Sequence, residues 1–440
     1  MRVLLVDRWG TDGMLDIALR MKEDGHDIRW SFVKDDKTKM LGKGFDLNVV
    51  SNWREHMMWA DVVVLADNTK YLTEMDAWRA KGVPIVGATK EAATWELDRQ
   101  VGQNLFKKHK IDVPDFKSFS NYDAAIAYVK KENRAFVCKP SYDEVDKSLS
   151  YVGKTPCDLV YMLEKWKKQS RHKGAFILQE KVTGCEMAVG AWFGPHGFST
   201  GWCENWEFKS LMAGDKGPNC GEMGTVLRFT KTSKLAKKVL EPLEDELIRV
   251  GYCGYVDVNC IIDETGTPWP LEFTMRFGWP TFNIQQALLN GDSAEWLGAL
   301  ANGRDLKPFK IGQTAVGVVM ALPEFPYGKS KPEDVTGAPL YGLTPSMMSN
   351  VHLCGAMKGK APIEKDGKIT DGEMIMTAGD YVLIASGVGD TIRQARGKAY
   401  RILDKIKAPA SPFWRPDIGS RLKEQIPEVQ SLGYATGMAF

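Results

Sequence analysis

Short apolar runs alternate with amphipathic stretches along the N-terminal part of the chain. The runs Arg2–Val6, Asp27–Val33 and Asp61–Ala66 have the length and composition of buried strands. Met14–Glu23 and Leu72–Ala80 repeat their apolar residues at helical spacing. Strands that alternate with helices in this way are typical of a parallel sheet covered by helices. The pattern therefore predicts an open α/β domain at the N-terminus.

A long helical pattern, residues 90–109, connects this domain to the next region of the chain. Four further strands are predicted there, with helices between them that include residues 235–250; the strands are Ala135–Lys139, Phe176–Lys181, Glu186–Phe193 and Tyr255–Ile262. After Gly312, another strand opens a region of short β segments that ends in a helix over residues 391–406. A length of 440 residues fits about three domains. We expect them at residues 1–96, 97–313 and 314–440, the last being a β-rich α+β domain.

Charge and composition narrow the class of partner. The 58 basic residues nearly cancel the 56 acidic ones, and the net charge of +2 offers no surface for nucleic acid. No apolar run approaches the roughly 18 to 20 residues that a membrane span requires, and the N-terminal apolar run is too short for a signal peptide. We therefore expect a cytoplasmic protein, monomer or homodimer, that binds small molecules and neither nucleic acid nor a membrane.

Two common types of site are not indicated. The 8 cysteines are scattered without the spacing of a zinc site or a disulfide framework, so free thiols are expected. The segment from Trp9 to Met14 lacks the G-x-G-x-x-G spacing that brings a backbone close to a pyrophosphate. A nicotinamide or flavin cofactor is therefore not expected.

Three segments carry candidate chemistry, each with a plainer alternative. Lys139 ends an apolar strand and suits phosphate recognition, although a solvated strand-end lysine has the same pattern. Residues 176–189 form two strands around Gly184 that could read an adenine edge and a ribose, or could be a simple hairpin. Residues 214–224 are rich in glycine, which permits close approach to a ligand, but they could also form a surface loop.

The densest cluster of polar residues lies on two strands joined by a hairpin, at residues 254–278. Alternation along the second strand puts Glu272, Thr274 and Arg276 on one face. Glu272 and Asp257, which could meet across the hairpin beside the arginine, fit a Mg²⁺ ion bound to nucleotide phosphates. The alternative is a salt bridge between Glu272 and Arg276.

Taken in order, these segments resemble the ATP-grasp fold and, more narrowly, the phosphoribosylamine–glycine ligase family. Residues 214–224 are similar to the glycine-rich GPNTGGMG loop of the family, and residues 271–278 to its EFNxRFGDPE strand. The ending from Gly389 to Gly419 is similar to the family's terminal GDT helix and RxDIG motif. The resemblance covers nearly the whole chain.

The resemblance implies an enzyme that forms a C–N bond. A carboxylate, such as that of glycine, would be activated by ATP as an acyl phosphate and then attacked by an amine, as in purine biosynthesis. The implied cofactors are ATP and Mg²⁺ or Mn²⁺. The implied residues are, for catalysis, Lys139 and Arg276; for ATP, Arg99, Lys139, Gln179, Glu180, Val182 and Glu186; for substrates, Asp215, Asn219, Gly221 and Arg276; and for the metal, Glu272 and Thr274, with Asp257 as a further carboxylate.

The chain departs from the family pattern at several points. Residues 7–13 and 66–71 replace the family's GxGGREHA and GPEAPL segments, both on the amine side. Arg99 stands in place of a lysine, residues 140–148 form a lid without glycine, and Thr274 replaces an asparagine. Two alternatives therefore stay open: a specialised ligase that joins an amino acid to a different amine, and a non-catalytic nucleotide-binding relative.

Overall fold

The computed structural model of the protein describes residues 1–8, 13–140, 149–169, 174–323, 325–328 and 331–440. Most of the glycine-poor lid predicted at residues 140–148, and most of the segment that replaces the first glycine-rich loop, lie outside the described residues.

The N-terminal region contains a parallel five-stranded sheet with strand order β3-β2-β1-β4-β5. Its elements are β1 Arg2–Val6, α1 Met14–Glu23, β2 Asp27–Ser31, β3 Asn48–Val49, β4 Val62–Leu65, α2 Leu72–Arg79 and β5 Ile85–Val86. Every residue of β4 is buried, as expected of a parallel strand covered on both faces. The predicted α/β pattern is confirmed for this region.

The helical pattern over residues 90–109 is two helices and not one, namely α3 Lys90–Leu97 and α4 Arg99–Lys108. Asp98 between them has extended backbone angles, and its side chain accepts hydrogen bonds from the backbone of Gln100 and Val101. Such a cap starts a new helix where the apolar period alone predicts continuity.

The central region contains a small four-stranded sheet and a large antiparallel sheet. The small sheet has the order β6-β9-β7-β8 and carries two helices. Its elements are β6 Phe116–Phe119, α5 Tyr122–Glu132, β7 Phe136–Pro140, β8 Tyr151–Val152, α6 Pro156–Lys168 and β9 Phe176–Glu180. Thr155 and Asp158 form a capping box at the start of α6, with proline at its first turn.

The large sheet has ten strands and runs from β17 through β16, β10, β12, β15, β18 and β23 to β20. Its elements in the central region are β10 Cys185–Gly194, β11 Gly197–Phe198, β12 Trp202–Glu207, β15 Gly224–Thr230, β16 Gly254–Ile262 and β17 Pro268–Thr274. A separate two-stranded hairpin, β13 Ser210–Met212 and β14 Lys216–Asn219, projects between β12 and β15. The helices are α7 Lys234–Val239, α8 Glu244–Arg249, α9 Thr281–Gln286 and α10 Ser293–Ala301.

The single helix expected over residues 235–250 is wrong. Pro242 lies in a 3₁₀ turn, Glu241–Leu243, that separates α7 from α8. Proline has no backbone N–H for the helical hydrogen bond and clashes with the preceding turn, so the helix restarts after it.

The C-terminal region shares the large sheet and adds a three-stranded one, β19-β22-β21. Its elements are β18 Thr314–Ala321, α11 Pro332–Val335, β19 Thr336–Pro339, β20 Val351–Leu353, β21 Ala356–Lys365, β22 Lys368–Ala378, β23 Tyr381–Gly389, α12 Ile392–Leu403, β24 Phe413–Trp414 and α13 Leu422–Ser431. Strand β18 pairs with β15, so the sheet continues through the boundary predicted near residue 313. The structure has the α/β class expected.

Two expectations from composition can be compared with the structure. All 8 cysteines are described and free, and six of them are buried, in agreement with the expectation of free thiols. Among the described residues, none of the helices combines the length and the apolar composition that a bilayer-spanning segment requires.

Candidate active site

The small sheet directs Lys139 toward the large sheet. Lys139 lies near the end of β7, and its Nζ donates a hydrogen bond to Gln179 Oε1 on β9 at 3.0 Å. Gln179 is buried and donates in turn to Gln103 Oε1 on α4 at 3.2 Å. Gln103 Nε2 donates to the carbonyl of Leu271 on β17 at 3.2 Å. This chain of amides connects the lysine to the strand of the predicted metal ligands.

Burial lowers the pKa of Lys139 to about 8, with a further lowering by the nearby positive charge of Arg99. Arg99 lies one helical turn before Gln103 on α4, and its guanidinium is paired with Glu272. Its Nη1 is buried without a hydrogen-bond partner among the described residues. A buried guanidinium N–H with no acceptor is well suited to donate a hydrogen bond to an anionic oxygen.

Lys209 follows β12 and brings three carboxylates together. Its Nζ lies 2.9 Å from Glu186 Oε1, 3.0 Å from Glu207 Oε2 and 3.3 Å from Glu272 Oε1. Burial would lower the pKa of Lys209, but the three carboxylates outweigh it and hold the pKa well above its usual value. The ammonium is therefore a stable positive charge at the centre of the cluster.

The pairing of β16 with β17 decides which groups face Glu272. Asn259 is directly opposite Glu272, and Asp257 is opposite Thr274. Asn259 Nδ2 donates to Glu207 Oε2 at 2.8 Å, whereas its Oδ1 is buried with no hydrogen-bond partner among the described residues. An unpaired amide oxygen beside Glu272 is a hard ligand of the kind that Mg²⁺ takes.

Asp257 is engaged by its own neighbours. Its Oδ2 accepts hydrogen bonds from Asn205 Nδ2 at 2.7 Å and from the Tyr255 hydroxyl at 3.0 Å, above the backbone of Gly190. Burial, together with the negative charge of Glu207, raises the pKa of Asp257 to about 7. No group of three His, Cys, Asp or Glu side chains with metal-binding geometry occurs in the described part of the chain.

Arg276 lies just beyond β17 and is held by the N-terminal region. Its Nε is 3.0 Å from Glu96 Oε1 at the end of α3, and its Nη1 donates to the carbonyl of Phe277. Glu96 Oε2 accepts from Met275 N at 2.6 Å and from Asn68 Nδ2 at 2.9 Å. Glu96 thus links Arg276 to residues 66–71, which replace the family's GPEAPL segment.

The glycine-rich segment is partly a hairpin, and its predicted substrate residues have different surroundings. Asp215 lies at the turn with a φ of 54°, paired with Arg415 and Arg421. Asn219 is exposed and its Oδ1 accepts from Ser210 Oγ at 3.2 Å. Gly221 has a φ of 89° in open surroundings.

The predicted adenine hinge is the connection between β9 and β10. The Glu180 side chain pairs with Arg134, and its backbone N–H donates to the carbonyl of Asp115. Val182 is half-buried in the connection. Glu186 lies at the start of β10 and, through Lys209, joins the carboxylate cluster.

Comparisons with known proteins agree with this architecture. Residues 98–282 match the family described as phosphoribosylglycinamide synthetase, ATP-grasp (A) domain. A phosphoribosylamine–glycine ligase from Leptospira interrogans is 26% identical over 377 residues, 82% of this chain and 83% of that one. One from Halalkalibacterium halodurans is 24% identical over 425 residues, 94% of this chain and 90% of that one.

A solved structure is similar over almost the whole fold. The phosphoribosylamine–glycine ligase of Thermotoga maritima superimposes with a TM-score of 0.69 at 21% identity, covering 95% of this chain and all of that one. The chain is thus similar to the phosphoribosylamine–glycine ligases over most of its length, and residues 98–282 match their ATP-grasp domain. The expected resemblance and the expected fold are confirmed.

The ATP-grasp match includes Arg99, Lys139, Lys209 and Glu272, and therefore the whole cationic and acidic cluster. Sequence reasoning missed five residues that contact the predicted site residues or one another; these are Lys209, Gln103, Glu207, Asn259 and Glu96. Lys209 had a weak signal, since it lies five residues before the first glycine of the glycine-rich segment. Gln103 lies four residues after Arg99, the helical spacing that places both on one face.

Proposed function

We propose that this chain is an ATP-dependent carboxylate–amine ligase whose nucleotide lies between the small sheet and the polar face of the large sheet. The proposal rests on one observation, which is that Arg99, Lys139 and Lys209 lie together beside Glu272 at that point. The substrate carboxylate attacks the γ-phosphoryl group and releases ADP. The amine then attacks the acyl phosphate, which gives the amide and phosphate.

The charges of the cluster support this assignment. Arg99 and Lys209 are paired with carboxylates, and Lys139 is hydrogen-bonded only to a neutral amide among the contacts described for it. Triphosphate oxygens can replace carboxylates as partners of the cations. Because the groups are already positioned, they stabilise the charge that develops during phosphoryl transfer without reorganisation.

The donor atoms on β16 and β17 fit a divalent cation. Glu272 supplies a carboxylate and Asn259 an unpaired buried oxygen, so these two would hold Mg²⁺ or Mn²⁺. Thr274 and Asp257 remain further candidates two pairs along the same ladder. The ion would neutralise charge on the β- and γ-phosphates, while Glu272 and Asn259 fix its position.

The relatives that are named for glycine and phosphoribosylamine support these as first substrates to test. Arg276, oriented by Glu96, is the proposed group near the acyl phosphate, and Asn219 and Gly221 are proposed to contact the substrate. Asp215 is a weaker candidate, because two arginines already occupy its carboxylate.

The test is ADP release by the purified protein with Mg·ATP, glycine and a panel of amines. Turnover with phosphoribosylamine is the expected result. Glu272→Gln should lower the rate at least about a hundredfold, because the metal loses its carboxylate and Arg99 its partner. Glu264→Gln, an exposed change in the turn between the same strands, is the matched control. Full activity of E272Q would refute the metal assignment.

A ligase with a different amine acceptor is the second candidate. Asn68 in the rewritten segment is buried and bonded to Glu96, so the segment is built into the site by contacts of its own. ADP release with other amines and none with phosphoribosylamine would favour this candidate. Tight Mg·ATP binding without turnover on any pair would favour a non-catalytic relative.

A further inference from the structure

Two arginines from the C-terminal end of the chain hold the backbone on either side of Lys209. Arg421 Nη2 donates to the carbonyl of Glu207 at 2.7 Å, and Arg415 Nη1 donates to the carbonyl of Ser210 at 3.0 Å. Lys209 lies between these two carbonyls, in the link between β12 and β13, and its own carbonyl accepts a hydrogen bond from the backbone N–H of Cys220 at 3.0 Å. The two guanidiniums therefore hold the backbone on both sides of the residue that carries the ammonium.

Phe208, the residue before Lys209, completes the attachment. Its ring is fully buried, with the guanidinium of Arg421 at 4.1 Å and that of Arg415 at 5.2 Å from its centroid. Its backbone is bonded to Gly224 and Met223 at the start of β15. Stacking on both cations and these hydrogen bonds restrict the link to one conformation.

The arginines are themselves fixed by acids from two parts of the chain. Arg415 is 1% exposed and binds Asp417 at 2.6 Å and Asp215 at 2.7 Å. Asp215 also accepts from Arg421, and Asp417 accepts from the backbone of Gly214. A buried guanidinium with this many partners keeps a single orientation.

We infer that Arg415 and Arg421 are positioning residues for Lys209, so that the C-terminal segment sets the geometry of the nucleotide phosphates from outside the ATP-grasp match. The inference rests on the proposed function, since Lys209 must face the phosphates for its position to affect them. On this inference both arginines act through the backbone of residues 207–210, whose carbonyls they bind.

The test is a double-mutant cycle on Mg·ADP affinity, measured by calorimetry on the full chain. Arg421→Gln should weaken binding about tenfold, the size expected for a misaligned hydrogen bond to a charged group, and Arg421→Lys should restore part of it. Lys209→Met should weaken binding at least as much. The double variant should bind as K209M does, because without Lys209 nothing remains for Arg421 to position.

Arg401→Gln, on the exposed face of α12, is the control and should leave affinity unchanged. Arg421 is 23% exposed, so its variants are expected to fold, and thermal unfolding checks this. Should R421Q unfold below the assay temperature, Arg415→Lys replaces it in the same cycle. The inference would be overturned if the affinity losses of the two single variants multiply in the double variant, or if R421Q binds Mg·ADP as the wild type does. Absence of binding by the wild type would overturn the proposed function, and the inference with it.

Discussion

The low pKa of Lys139 predicts a distinctive pH dependence of nucleotide binding. Burial lowers this pKa from 10.5 to about 8, whereas three carboxylates keep the pKa of Lys209 well above its usual value. Of these two lysines, Lys139 is thus the one expected to lose its proton between pH 7 and 9.5.

The direction of the pH dependence follows from which protonation state of Lys139 binds phosphate. Protonated Lys139 binds the anion and the neutral amine does not, so the pKa rises in the complex. The affinity for Mg·ADP is then highest well below pH 8 and falls as the pH rises through 8. With a pKa of about 8, the affinity at pH 9.5 should fall about thirtyfold, or about 2 kcal/mol.

The assay is a calorimetric titration with Mg·ADP between pH 7.5 and 9.5, where the ionisation of the nucleotide is constant. Lys139→Arg is the matched control, because a guanidinium keeps its charge and should give a flat profile even if its affinity is lower. A flat wild-type profile, or an equal decline in the K139R variant, would refute the assignment of the titration to Lys139.

Two further predictions concern stability. Arg228→Met should lower the free energy of unfolding by about 3–5 kcal/mol, since it leaves the charge of Glu204 buried without its partner at 2.8 Å. Adding Glu204→Met should recover part of the lost unfolding temperature. Gly190→Ala should also lower the unfolding temperature, because the added Cβ would overlap the Tyr255 hydroxyl and lie 2.5 Å from Asp257 Oδ2. Calorimetric unfolding scans measure both effects.

The two stability predictions have a control variant and outcomes that would contradict them. Gly397→Ala places a Cβ on α12 with only ordinary contacts and should not lower the unfolding temperature. An R228M/E204M variant no more stable than R228M would contradict the ion-pair reasoning. A G190A variant as stable as the wild type would contradict the close packing at that strand.

The secondary structure was predictable where local signals are strong. Apolar runs marked the strands of both large regions, and their order indicated the family. The predictions failed where one residue overrides the apolar period, at the Asp98 cap and at Pro242. Both are short-range effects, so closer attention to capping and proline chemistry would have found them.

The candidate site was predictable in part. Lys139, Gln179, Glu186 and Glu272 stand in recognisable segments, and the structure brings them to one cluster. Lys209 was missed because two of its three carboxylate partners, Glu186 and Glu272, come from strands that are distant in sequence. Partners that are far apart in sequence leave no local pattern.

The sequence alone determined the order of strands and helices, the family resemblance and the supply of charged groups near each motif, because these depend on local spacing. Tertiary structure decided which charges meet. Alternation along β17 places Glu272 on a face, but only sheet order and the entry of α4 set it against Lys209 and Arg99. Likewise Arg415 reaches Ser210 across 205 positions of the chain, a contact that folding alone creates.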